Sequence, residues 1–236
     1  MNIKTLRCVR SGVTGTCVWM EKKKAVKIEK PRIKQGLPRL KLGEVLNDED
    51  AYRSGEVKDH FMDSQSADQV RFDQMIFKQV SFEQVHFHNI ELTDVIFDQC
   101  NLSNADFSDA IIHRVSFNNS KLTGANLSGS TLRNVTMNGC LANYSALGFS
   151  DFRQVEFNDT SLIQADLNES TFKNVAFKNC PMDGVNFAET SLNGIDLSSC
   201  LFESLVVSLD KLSGCTVTSD QAVGLSKILG LNVKDG

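Results

Sequence analysis

Of the four histidines in the chain, His86 and His88 are the pair whose spacing suggests chemistry. They stand two apart around Phe87, and side chains two apart on an extended segment point to the same side. With an aspartate such as Asp106 or Asp109 alongside, they would offer imidazole and carboxylate donors to a metal ion. Cys100, Cys140, Cys180 and Cys200 differ by multiples of 20, which reads as a column rather than a ligand cluster. Asp106, Asp109, Asp166, Glu169 and Glu189 recur in one stretch pattern and could form an acidic binding surface. No glycine-rich phosphate loop and no paired acids with the marks of a catalytic cleft occur.

What must position these residues is a repeat. From Phe72 to Val217 every fifth residue is large and apolar, 30 positions in all, with Ala142 the one small exception. Thirteen of the 15 phenylalanines fall in this register, while Trp occurs once, Tyr twice and Pro three times. Two residues before each large residue lies a second constrained position, nearly always small or β-branched (Val70, Val80, Cys100, Ala105, Ser120), with Asp210 the clear exception. A period of five fits neither the helical period nor plain strand alternation. It fits a chain that turns a corner every five residues and points both constrained positions inward. Four sides then close a coil of 20 residues, and coils stack as parallel strands ~4.8 Å apart. The expectation is an all-β fold: a quadrilateral parallel β-helix, roughly 36 Å long for its clear repeats, with a short C-terminal helix. Scarce proline agrees, because nearly every N–H is needed in the ladder.

In this frame the chemistry thins out. His86 and His88 point to solvent beside inward-facing Phe87. The plainer reading is two solvated histidines, so no metal site and no cofactor is assigned. His60 and His113 are far apart. The cysteine column, continued by Ser120 and Thr160, reads as small buried residues, reduced as in a cytosol. Polysaccharide lyases built on parallel β-helices carry their catalytic groups on loop insertions, whereas here the register is unbroken. The chain is therefore read as a non-enzyme.

Segments such as Ala105-Asp106-Phe107-Ser108-Asp109, Ala125-Asn126-Leu127-Ser128-Gly129 and Ala165-Asp166-Leu167-Asn168-Glu169 resemble the pentapeptide-repeat consensus. That family forms a right-handed quadrilateral β-helix. Residues 221–233 resemble the C-terminus of the quinolone-resistance (Qnr) pentapeptide proteins, particularly those of Gram-positive bacteria. In that family the C-terminal helix joins two rods tail to tail. The resemblance therefore implies a homodimer, with Ala222, Leu225, Leu229, Leu231 and Val233 as the contact. It also implies a cytoplasmic protein that binds DNA gyrase and topoisomerase IV as a DNA mimic and protects them from fluoroquinolones. Neither direct nucleic-acid binding nor a membrane is expected. Loops that project from the coils in Gram-negative members are absent here, which moves the expected contacts to the acidic face.

The domains expected are residues 1–19, an upstream extension preceding a start at Met20; 20–51, a leader with Pro31 and Pro38; 52–217, the β-helix; and 218–236, a capping helix and tail. Glu44–Tyr52 suggests a short helix, and Thr218-Ser219-Asp220 can cap another running to about Leu229 with Gly230 as its stop. The whole-chain charge of −4 conceals +4 over residues 1–70 and −8 over 71–217. B-DNA would carry about 21 charges over a rod of roughly 36 Å, so charge alone imitates it weakly. The side around Phe107, Leu127, Leu147, Leu167 and Phe187 displays acids and no Lys or Arg. The next side carries Arg71, Arg114, Arg133, Arg153, Lys173 and Lys211. Tyr144 and Phe149 point outward near Ala142; they form either a contact spot or a plug for the dimple that Ala142 leaves. The competing function is a structural or regulatory scaffold with another protein partner.

Overall fold

The corners have a single backbone origin. In a computed structural model of the protein, every fifth residue from Glu49 to Gly194 has a positive φ, between 48° and 79°. From Gln74 on, each lies two residues after a position of the apolar row, Ala142 included. A left-handed residue redirects an extended chain sharply, and Asn, Asp and Gly accept that conformation best. Most corners carry Asn, Asp, Gln or Gly, so the polar places of the repeat are conformational as well as solvated.

The structure describes residues 6–10, 17–21, 26–43, 45–226, 228, 230 and 231. Two short strands, β1 (Leu6–Arg10) and β2 (Cys17–Glu21), pair antiparallel. The solenoid follows with β3 (Ala51–Lys58), β4 (Arg71–Lys78), β5 (Glu91–Asp98), β6 (Ile111–Asn118), β7 (Thr131–Asn138), β8 (Asp151–Asn158) and β9 (Thr171–Lys178). These seven form one parallel sheet in sequence order, each residue opposite the one 20 further on. The pairing skips the fourth residue of every strand, the corner residue, so each eight-residue strand covers two sides of the coil. Isolated parallel bridges hold the other two sides. Two three-residue strands, β10 (Val185–Phe187) and β11 (Leu205–Val207), complete about eight coils.

The large apolar residues stack inside as the register requires. Phe97 lies 5.1 Å from Phe77 and 4.9 Å from Phe117, nearly parallel to both. Phe157 stacks on Phe177 at 5.0 Å. The small positions hide a polar ladder. Ser150 Oγ accepts the Ser130 N–H and donates to buried carbonyls, Leu127 at 3.1 Å among them; Ser170 and Thr190 repeat the pattern. Hydroxyls can stay buried there because each has both partners. The cysteine column behaves alike: Cys100 and Cys140 are buried, donate to carbonyls, and burial pushes their thiols up to about 11. Asp210 breaks the small-residue rule because Leu209–Leu212 forms a 3-10 turn that exposes it. No residue is inserted: Leu192 and Leu197 still donate to carbonyls 19 residues on, as Leu102 does.

The two ends are capped differently. The expected helix over Glu44–Tyr52 does not form; Asp48 and Glu49 make a turn and the chain enters β3, so the first coil starts at Ala51. Leu42 and Leu46 are buried against the open end of the core. Before them the leader lies across the rod, where Glu29 N–H donates to Asn134 Oδ1 (3.0 Å) and Arg32 N–H to Asp94 Oδ1 (2.8 Å). Asn134 and Asp94 are corner residues of one column, so the leader follows that corner. At the other end the helix α1 spans Ser219–Ser226, and its expected end, Leu229, lies outside the described residues. Thr218 and Gln221 cap it reciprocally, and Gln221 Nε2 also donates to the carbonyls of Leu197 and Cys200, which pins the helix to the last coil.

Candidate interaction face

One side of the rod is built by the bridge column Ser66, His86, Asp106, Asn126, Ala146, Asp166 and Asn186. Its turns explain two of the five acids expected to form the contact. Asp106 Oδ1 accepts the Ser108 N–H (3.0 Å) and Asn126 Nδ2 (2.9 Å); Asp166 Oδ1 accepts the Asn168 N–H and Asn186 Nδ2 in the same way. Both carboxylates are half-buried and close turns. Burial pushes the Asp106 carboxyl up, but hydrogen bonds from Ser108 and His88 outweigh it and hold it below the usual range. The sequence signal was available: an Asp followed two later by a donor and 20 later by Asn.

Asp109, Glu169 and Glu189 differ, since all three are exposed corner residues of one column. Glu189 accepts from Ser208 Oγ at 2.9 Å and lies 3.6 Å from Lys211 Nζ. Among the described residues, Asp109 and Glu169 have no ion pair. Between them in the column lie Gly129 and then Phe149, at φ 58° and 60% exposed; Tyr144, at φ 59°, is 65% exposed on the next corner. Neither ring plugs the dimple, for Ala142 is itself buried and both aromatics project to solvent. A left-handed aromatic costs about 1 kcal/mol or more, which Asn would relieve. Phe149→Asn should therefore raise the melting temperature by roughly 2–4 °C. A melting curve with no gain would contradict strain at this corner.

The next side carries the expected basic column, with Arg133, Arg153 and Lys173 in register. Asp94 and Arg114 stand 20 apart on the same side. They form a buried bidentate pair, Arg114 Nε to Asp94 Oδ1 at 2.6 Å and Nη2 to Oδ2 at 2.7 Å, on the carboxylate that also receives the leader's Arg32 N–H. Their separation of 20 was the missed signal.

Of the residues expected at a dimer contact, Ala222 and Leu231 are exposed, and Leu225 instead packs against the core. Leu229 and Val233 lie outside the described residues. Val223 and Ile228 add exposed apolar surface. The histidine cluster does assemble: His86, His88 and Asp106 place donor atoms within 4.8 Å of one another, while Asp109 is not part of it.

This loop-free square solenoid, filled by phenylalanine and cornered every five residues, is the architecture of pentapeptide-repeat proteins. The sequence profile described as a pentapeptide repeat region matches residues 70–147, 90–167 and 150–225, and the chain belongs to that family. A search of curated protein sequences gave no match. Among solved structures, a trypsin-treated form of QnrB1, a plasmid-mediated fluoroquinolone resistance protein, is similar at TM-score 0.50 and 19% identity, over 80% of this chain and 96% of that one. HetL, a pentapeptide-repeat protein involved in heterocyst differentiation regulation from the cyanobacterium Nostoc, is similar at TM-score 0.33 and 18% identity, over 72% and 84%. At these identities the likeness is one of fold. No helix among the described residues is long and apolar enough to cross a membrane.

Proposed function

We propose that this protein is a topoisomerase-binding rod of the Qnr kind: it engages DNA gyrase and topoisomerase IV through its acidic side and shields them from fluoroquinolones. The observation that carries this reading is the side itself. From residue 65 to residue 189 it displays no Lys or Arg, and it presents Asp109, Glu169 and exposed Phe149 along one straight corner. A rigid row of negative charge with an aromatic in its midst suits a basic protein groove shaped for DNA. Charge complementarity of this kind chiefly sets encounter rate and specificity. The resemblance of the C-terminal segment to the Qnr family, and the exposed apolar surface of Ala222, Val223, Ile228 and Leu231, support a tail-to-tail homodimer. Such a protein would act in the cytoplasm, where its targets are, without touching DNA or membrane.

Direct titration of the purified protein against gyrase and topoisomerase IV subunits tests this. Binding that weakens steeply with salt is expected. Failure to bind either enzyme at low salt would leave the alternative, a scaffold for another partner.

A further inference from the structure

The cluster at the N-terminal end of the acidic side has the geometry of a chelate. His86 and His88 project from one extended segment on either side of buried Phe87, and Asp106 lies in the next coil opposite His86. His88 Nε2 is 3.1 Å from Asp106 Oδ2, and the donor atoms of all three residues lie within 4.8 Å of one another. Ligands at ~2.0–2.1 Å in a tetrahedral site stand roughly 3.3–3.4 Å apart, so the His88–Asp106 edge is already near that spacing. His86 is exposed, and its ring can close the remaining distance by side-chain rotation.

Behind the cluster stands a fourth residue. His88 Nδ1 faces Asp68 Oδ1 at 3.7 Å, one coil up. A ligating imidazole commonly turns its second nitrogen toward a carboxylate, which fixes the tautomer and leaves the other lone pair for the metal. Here the order runs Asp68, His88 Nδ1, His88 Nε2 and then Asp106 Oδ2, whose hydrogen bond to His88 a bound ion would replace. Charge points the same way. Among the described residues neither Asp68 nor Asp106 pairs with Lys or Arg, and this side of the rod has none to offer. Two carboxylates and two imidazoles make a donor set that suits a divalent ion.

We propose that His86, His88 and Asp106 bind one divalent transition-metal ion of the zinc, nickel or cobalt type, with Asp68 as the positioning residue for His88. Imidazole with carboxylate favours such ions over magnesium or calcium, which prefer all-oxygen shells. Water completes the shell, and the ion ties two successive coils together. The site does not depend on the topoisomerase reading.

The test titrates untagged protein with Co2+, following visible absorption, and with Zn2+ by calorimetry. One ion per chain is expected, with Zn2+ raising the melting temperature. His86→Gln and His88→Gln should each abolish both effects, each variant being compared with its own metal-free form because His88 also hydrogen-bonds Asp106. Asp68→Asn should weaken affinity by roughly 10- to 100-fold while keeping the stoichiometry. Absence of any Co2+ band, unchanged binding in the His86→Gln and His88→Gln variants, or an intense near-ultraviolet thiolate band assigning the ion to cysteine would each overturn the proposal.

Discussion

Arg114→Met is expected to destabilise the rod by about 3–5 kcal/mol and to lower its melting temperature by roughly 10 °C. Asp94 is 5% exposed, and its two oxygens take two Arg114 donors and the leader's Arg32 N–H. Removing the guanidinium strands a buried carboxylate beside apolar core, a cost larger than the net worth of the pair. The double variant Asp94→Asn/Arg114→Met should recover much of the loss, because no charge is left unpaired. Equal loss in the single and double variants would show that Arg114 acts by packing alone.

The same pair sets a pH dependence. Burial pushes the Asp94 carboxyl up, but the Arg114 guanidinium and the Arg32 amide more than offset this and hold it below the usual range. Its folded pKa is thus lower than its unfolded one. The stabilisation is complete above the ordinary carboxylate value of about 4 and is lost as pH falls through the depressed folded value. The gap in melting temperature between wild type and Asp94→Asn should hold at neutral pH and narrow below about pH 4.

The largest functional effect is expected from the acidic side, and its geometry dictates which substitutions are fair. Asp106 and Asp166 close turns through Oδ1, so they are best changed to Asn, which keeps that acceptor while removing the charge. Asp109 and Glu169 stand free at corners and can be reversed to Lys. The combined variant should fold as the wild type does, yet bind gyrase roughly 10- to 100-fold more weakly, with a shallower salt dependence. Glu189 is a poor probe, because Lys211 and Ser208 already hold it.

How much of this could be read in advance follows from what the repeat constrains. Phe97 over Phe117 and the Cys100–Ser120–Cys140–Thr160 column were legible because burial restricts size, and the register then fixes who stacks on whom. The corner rule was half legible, since Asn, Asp and Gly mark left-handed backbone. Arg114, Tyr144 and Phe149 occupy the same conformation against their preference, so composition gave no warning. The leader's path was illegible for a different reason. Its anchors are the backbone N–H groups of Glu29 and Arg32, which every residue but proline possesses. Asp68 behind His88 and Asp94 beside Arg114 were within reach of the arithmetic of 20; a net charge per side averages such specific pairs away. At the C-terminus, apolar periodicity marked the helix without saying which face meets the rod, and Leu225 turned out to face inward.

The most direct measurement is gyrase supercoiling in the presence of a fluoroquinolone, with wild-type rod and with the variant carrying Asp106→Asn, Asp109→Lys, Asp166→Asn and Glu169→Lys. The wild type should raise the drug concentration needed to inhibit supercoiling, and the folded variant should not. Equal protection by both would contradict the acidic side as the contact, and no protection by the wild type would contradict a topoisomerase role altogether.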